Sequence, residues 1–261
     1  MFSARLSLGA TLSVTAAACA MAVLPGAAFA SLEHPGVVNE DPADYTPRLV
    51  DDGSGPKSRV DAADQASIAG VGDVLYAGGL FDTVQDSAGV TYPRTNLYAF
   101  EADDGTMSGT FAPVVDGNVF AVGGTPNAVH IGGMFATVDG VARPALAKRG
   151  PVTGQVDQQF NARFVGGKVE DIELVGSRLI VGGSAGKNKL SALNPATGAN
   201  TGFIDLGIAD PIPGARGGVT VFDFAVSPDG SQWWPLATSG PSPASPGPGC
   251  SSPTLLVARP R

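Results

Sequence analysis

The segment Val129-His130-Ile131-Gly132-Gly133-Met134-Phe135 constrains the fold more than any other feature of the chain. It reads as a short apolar strand that ends in a glycine pair and an aromatic. An earlier copy is Val74-Leu75-Tyr76-Ala77-Gly78-Gly79-Leu80-Phe81, and it returns without the aromatic as Leu179-Ile180-Val181-Gly182-Gly183. Self-similarity at a period of roughly 50 residues marks a repeat architecture, in which one unit needs its neighbours to bury its faces.

Further landmarks keep step with the glycine pairs. A leucine precedes a turn glycine by the same interval in each unit: Leu97 and Gly105, Leu146 and Gly154, Leu190 and Gly198. The turns Glu101 to Gly105, Gly150-Pro151-Val152-Thr153-Gly154 and Asn194-Pro195-Ala196-Thr197-Gly198 close on glycine, which adopts φ > 0 at little cost; proline presets φ early in the last two. Phe111, Phe160 and Phe203 follow the turns, and new strands open at Val119, Val169 and Val219. Each unit thus reads as an opening strand, a Gly-Gly strand, a leucine strand and a phenylalanine strand. Four short strands per unit predict a β-propeller blade. With Gly 36 and Pro 21, and no long 3.6-period run outside the N-terminus, the expected class is all-β. The expected architecture is a partial propeller of about three to four four-stranded blades. The glycine pairs should either admit a neighbouring blade closely or take φ > 0. Phe81 and Phe135 should be packing residues between blades.

The run Gly132-Gly133-Met134-Phe135-Ala136-Thr137-Val138, then Arg143-Pro144-Ala145-Leu146-Ala147, then the Asn194 to Gly198 turn, resembles the bacterial secreted β-propeller repeats of the delta-sixty type. The resemblance covers roughly residues 66–234 and implies a truncated array. It implies a propeller in an exported bacterial protein, often beside carbohydrate-binding or adhesive modules, and it implies no catalytic residues.

Residues 1–30 carry Arg5, an apolar run from Leu6 to Leu24, and Ala28-Phe29-Ala30. These are the parts of a secretory signal, with cleavage expected between Ala30 and Ser31. The product is then expected outside the cell or at the cell wall, with no stable membrane insertion. Loss of Cys19 with the signal would leave Cys250 without an internal partner, so stability would rest on a packed core. Residues 31–65 form a polar, proline-punctuated lead-in, and the repeats run from 66 to 234. The Pro/Ser/Gly-rich tail, 235–261, is expected to be disordered.

The fourth unit breaks off. Thr220 to Gly230 should lead into another Gly-Gly strand, but Trp233-Trp234-Pro235 follows. Tryptophan has one codon, so the pair is TGGTGG, which read one base earlier gives Val-Val. Suitable codons continue that frame as Ala-Ala-Gly-Asp-Phe, a blade-like sequence. A frameshifted, non-functional fragment of a longer propeller is therefore one reading, and sequencing the downstream DNA decides it.

The net charge of −8 argues against nucleic acid, whose binding needs a basic face. His34 lies in the lead-in. His130 is the one histidine of the repeats and alternates with Val129 and Ile131, which points to a structural role on the opposite strand face. A multi-histidine or cysteine-rich metal site is not available in the repeats, and no nucleophile elbow or phosphate-cradling loop occurs. No cofactor and no catalytic residue is assigned. Asp82, Asp139, Asp171 and Asp223 are candidates for a glycosidase carboxylate pair by position only. Asp171 and Asp223 fall at matching repeat positions, which favours cross-blade hydrogen bonding. The leading expectation is an exported, non-enzymatic binding scaffold for a glycan or an extracellular protein. A secreted carbohydrate-active enzyme is the alternative.

Overall fold

The computed structural model describes residues 44–50, 67–204 and 218–226 in full, and the backbone of 233–239 and 254–255. The expected export signal with its Ala30–Ser31 site, His34, both cysteines and the remainder of the lead-in and tail lie outside the described residues. The described elements are all strands, as the all-β reading requires.

β1 (Arg48–Leu49) is a piece of the lead-in. β2 (Ser67–Val71) and β3 (Val74–Gly78) form a hairpin over Gly72-Asp73. β4 (Thr83–Gln85) and β5 (Thr91–Pro93) form a second hairpin, and β6 (Leu97–Glu101) pairs with β3. The next unit repeats the plan: β7 (Asn118–Thr125), β8 (Ala128–Met134), the small hairpin β9 (Thr137–Val138) and β10 (Val141–Ala142), then β11 (Leu146–Arg149). The third unit has β12 (Val169–Val175), β13 (Arg178–Gly183) and β14 (Leu190–Leu193), with no small hairpin, because it lacks the Phe-x-Thr-Val segment that supplies β4 and β9. β15 (Val219–Val226), β16 (Trp233–Ser239) and β17 (Thr254–Leu255) close the series. The result is four antiparallel meanders: sheet I (β2-β3-β6), sheet II (β7-β8-β11), sheet III (β12-β13-β14) and sheet IV (β15-β16-β17).

Registers align the repeats residue by residue. Gly78 faces Leu97, Gly132 faces Leu146, and Gly182 faces Leu190. Opening strands β7, β12 and β15 each carry a bulge at the same place, after Val119, Val169 and Val221. By that register Leu236-Ala237 of β16 occupies the glycine-pair position of sheet IV. The Trp-Trp segment is thus a strand in the sequence as it stands, and it continues past the expected boundary at 234.

The sheets are three-stranded, and the expected fourth strand is reduced to a single bridge per unit: Phe100 with Met107, Arg149 with Val156, and Leu193 with Asn200. Side chains divert the next backbone donors. Phe111 N–H goes to Ser108 Oγ (3.1 Å), Gln159 N–H to Asp157 Oδ1 (2.8 Å), and Gly202 N–H to Asn200 Oδ1 (2.8 Å). Local turns of this kind compete directly with a ladder. The register also decides which side chain after each turn points inward. Phe111 and Phe160 are buried at matching positions, but their counterpart in the third unit is the buried Ile204. Phe203 lies beside it, under the Arg178 guanidinium at 3.9 Å.

Consecutive sheets share cores. Tyr76, Leu97 and Ala99 of sheet I meet Val119, Val122, Val129 and Ile131 of sheet II, with Phe135 among them. Leu146 of sheet II meets Val169, Ile172 and Leu179 of sheet III, and Ile180 and Leu190 of sheet III meet Val221 and Phe224 of sheet IV. Sheets II and III therefore bury both faces through their neighbours. The free face of sheet I, with Phe81 and Tyr98, is covered by β4 and Leu49 of the lead-in. No closed ring of strands forms among the described residues.

The glycine pairs serve close approach, since none of the six has φ > 0. A Cβ on Gly132 would sit 2.5 Å from Val169 Cγ1, and one on Gly182 would sit 3.0 Å from Val221 Cγ1. The turn glycines do need φ > 0: Gly105 is at 74°, Gly154 at 67° and Gly198 at 77°.

Candidate functional site

Repeat structure accounts for the histidine. His130 is buried, its Nε2 donates to Pro195 O at 3.1 Å, and its ring meets Phe160 edge-on at 5.4 Å. One unit earlier Tyr76 makes the same pair of contacts, with Pro151 O at 2.8 Å and Phe111 at 5.1 Å. His130 is therefore a neutral strut in the place of a tyrosine. Burial, foremost, lowers its pKa, and the Pro195 bond opposes that only in part. Arg143 is a strut too. Its Nη1 donates to Ala142 O and its Nη2 to Asp157 O and Gln158 O, tying the third strand to the segment after the bridge.

The four candidate carboxylates separate. Asp82 sits in the loop before β4, and its backbone carbonyl accepts from Arg94 N–H. Asp139 occupies the β9–β10 turn at φ 50°; its Oδ1 accepts from Val114 N–H at 2.8 Å and its Oδ2 pairs with the buried Arg149. Asp171 and Asp223 do come together, at matching bulges of β12 and β15. Burial, and next the charge of Asp223, push the Asp171 carboxyl up to about 6, and the two carboxyls share a hydrogen bond. Asp171 Oδ1 accepts from Ile172 N–H at 2.7 Å, and its Oδ2 accepts from Phe224 N–H of sheet IV at 3.3 Å. Ser67 Oγ does the same for Val122 N–H between sheets I and II. Glu173, two residues along the same strand face, is also raised, first by burial and then by Asp223. That neighbour was readable from the alternation of Asp171 and Glu173. Carboxyls in mutual hydrogen-bond contact leave no room for a glycosidic bond, since glycosidase pairs stand roughly 5–9.5 Å apart. Asp171 and Asp223 are thus arranged as an inter-sheet link.

A different place has the form of a ligand site. Gln159, Asn161, Arg163, Thr197 and Asn200 line an open cleft of about 480 Å³, with Ala162 and Ala199 completing it. It lies where the segment after β11 packs on the turn after β14, joined by Asn161 N–H to Thr197 O at 2.9 Å. Asx turns fix the amides. Asn161 Oδ1 accepts from Arg163 N–H and Asn200 Oδ1 accepts from Gly202 N–H, each at 2.8 Å. Each oxygen thereby accepts one backbone N–H, and both Nδ2 groups remain as donors. The Arg163 guanidinium has no partner among the described residues, and its backbone holds φ 56°.

The corresponding positions one unit earlier read differently. Thr110, Ala112 and Val114 stand for Gln159, Asn161 and Arg163, and Val156 stands for Asn200. Sequence reading missed the cleft, although this polar substitution at matched repeat positions was its signal. Among the described residues, no group of three or more His, Cys, Asp or Glu side chains is placed to hold a metal.

No protein-family model matches the chain, and no curated protein matches it. Among solved structures, the crystal structure of the computationally designed Ika4 protein is similar over 74% of this chain and 89% of that one. The identity is 13% and the TM-score 0.43, a likeness that carries no functional argument.

Proposed function

We propose that this chain is an exported, non-enzymatic binding scaffold, a partial β-propeller whose stacked sheets hold ligand-facing loops in place. Its ligand is a glycan or an extracellular protein. One observation carries the reading: the cleft between Gln159 and Asn200, whose volume lies within the roughly 300–1,000 Å³ of small-ligand clefts. Five of its seven lining residues are polar, the amides of Asn161 and Asn200 are oriented by backbone N–H groups, and no acid lies among its lining residues to serve as general acid or nucleophile. Serial sharing of cores supports the propeller half of the proposal, because face-to-face stacking is how blades bury both faces. The test is isothermal titration of the purified chain against an oligosaccharide panel, with a reducing-end assay on the same samples. Saturable binding without product is expected. Release of reducing ends would return the carbohydrate-active enzyme to first place.

A further inference from the structure

We propose that the cleft takes an acidic saccharide, with Arg163 holding a uronate carboxylate while the amides of Gln159, Asn161 and Asn200 hold neighbouring hydroxyl oxygens. This rests on the binding-scaffold reading and narrows its ligand.

The donor balance is the first ground. Asn161 and Asn200 each use the side-chain oxygen once, on a backbone N–H, which fixes the amide and leaves both NH₂ hydrogens as donors. Thr197 Oγ1 likewise faces Ala199 N–H at 3.3 Å. Arg163 adds a planar fork of donors and no acceptor. A site so rich in donors selects an oxygen-rich ligand, and the fork selects a carboxylate at one point of it. A neutral sugar would fill the amide sites and leave the guanidinium without a counter-charge.

The second ground is the cost of having arginine there. Residue 163 is in the left-handed region, at φ 56°, where a side chain is strained relative to glycine. Gly166 and Gly167, three and four residues on, at φ 65° and 80°, show the relaxed choice. The Arg163 guanidinium has no hydrogen-bond or ion-pair partner among the described residues. The third ground is local contrast. The chain is acidic overall, with a net charge of −8, yet no carboxylate lines this cleft. Ala162 and Ala199 are the small residues of the cleft, whereas at the matching position one unit earlier the Val114 N–H is tied to Asp139 Oδ1. A ring of hydroxyls fits the spread of amide donors better than a peptide, which would need acceptors for its own N–H groups.

The experiment titrates the full chain with tri-galacturonate, with neutral tri-galactose and with tri-glutamate, at low and at physiological salt. Arg163→Gly and Arg163→Lys are run beside the parent, with circular dichroism and melting as folding controls. Glycine is at home at φ 56°, so Arg163→Gly should melt close to the parent. The expected result is tri-galacturonate binding at least tenfold tighter than tri-galactose, weakening with salt, and falling tenfold or more in Arg163→Gly, with partial retention in Arg163→Lys. Equal binding of the neutral and acidic sugars, or an Arg163→Gly protein that binds tri-galacturonate as the parent does, would overturn the inference and leave the scaffold reading standing. Binding of tri-glutamate alone would overturn the saccharide assignment. Binding of no saccharide by any variant would remove the glycan form of the scaffold reading as well.

Discussion

The contact of sheet I with sheet II and that of sheet II with sheet III use the same repeat positions and end differently. At the first, Tyr76 and Phe111 meet the Pro151–Gly154 turn, Thr110 Oγ1 donates to Val152 O, and Val114 is held against Asp139. At the second, His130 reaches Pro195 O and meets the Phe160 ring edge-on as Tyr76 meets Phe111, but Gly198 packs on the Asn161–Ala162 backbone, and the loop beyond turns polar and opens into the cleft. What is shared is whatever the stacking of sheets demands: the aromatic, the turn glycine, and a donor for the proline carbonyl. What differs lies at loop positions outside the shared core. A repeat scaffold can therefore specialise one junction without disturbing its fold.

The comparison can be broken first at the shared aromatic. Phe111→Ala and Phe160→Ala should each cost about 3–5 kcal/mol, since both rings are fully buried. Chemical denaturation checks this, and a mild effect at Phe160 alone would mean that the second junction is not packed like the first. Next, Asp139→Ala should cost about 3 kcal/mol, because it strands the buried Arg149 charge. Arg149→Leu should be neutral or stabilising, because matched positions hold Phe100 and Leu193. No counterpart of this pair exists at the second junction.

The turn glycines sharpen the contrast further. A Cβ on Gly198 would lie 2.7 Å from Ala162 N, which is backbone, whereas on Gly154 it would lie 3.1 Å from the Phe111 ring. Both substitutions strain φ, so Gly154→Ala should cost about 1–2 kcal/mol and Gly198→Ala about 3 kcal/mol or more. Equal costs would show that the Phe111 ring cannot give way.

The last effect concerns pH. Asp171 links sheets III and IV as Ser67 links sheets I and II, but only Asp171 titrates. Its pKa is raised to about 6, first by burial and then by Asp223, against ~3.9 when unfolded. Between those values the folded state holds the extra proton. Its contribution is therefore greatest below about pH 4 and is lost as pH rises through 6. Asp171→Asn should raise the melting temperature at pH 7 and flatten its decline from pH 4 to 7. Ser67→Ala should lower the melting temperature by a similar amount at every pH in that range.

Much of the scaffold was legible in order. The period placed the hairpins, and the leucine-to-glycine interval placed third strands and turns, because alternation and φ > 0 are local requirements. The fourth strand misled, since Ser108, Asp157 and Asn200 divert the donors that would have extended it. Phe203 misled for a related reason: register, not residue type, decides which side chain turns inward, and it selected Ile204. Asp171 and Asp223 were marked as a matched pair, but their shared hydrogen bond depends on how two bulges abut.

Sequence alone thus determined the repeat, the turn glycines and the need of each sheet for a neighbour, all of which follow from backbone sterics and apolar patterning along a short window. Tertiary structure decided the cleft. Arg163 and Asn200 belong to different units, and only the seating of one loop on the next unit's turn brings their donors to a common opening.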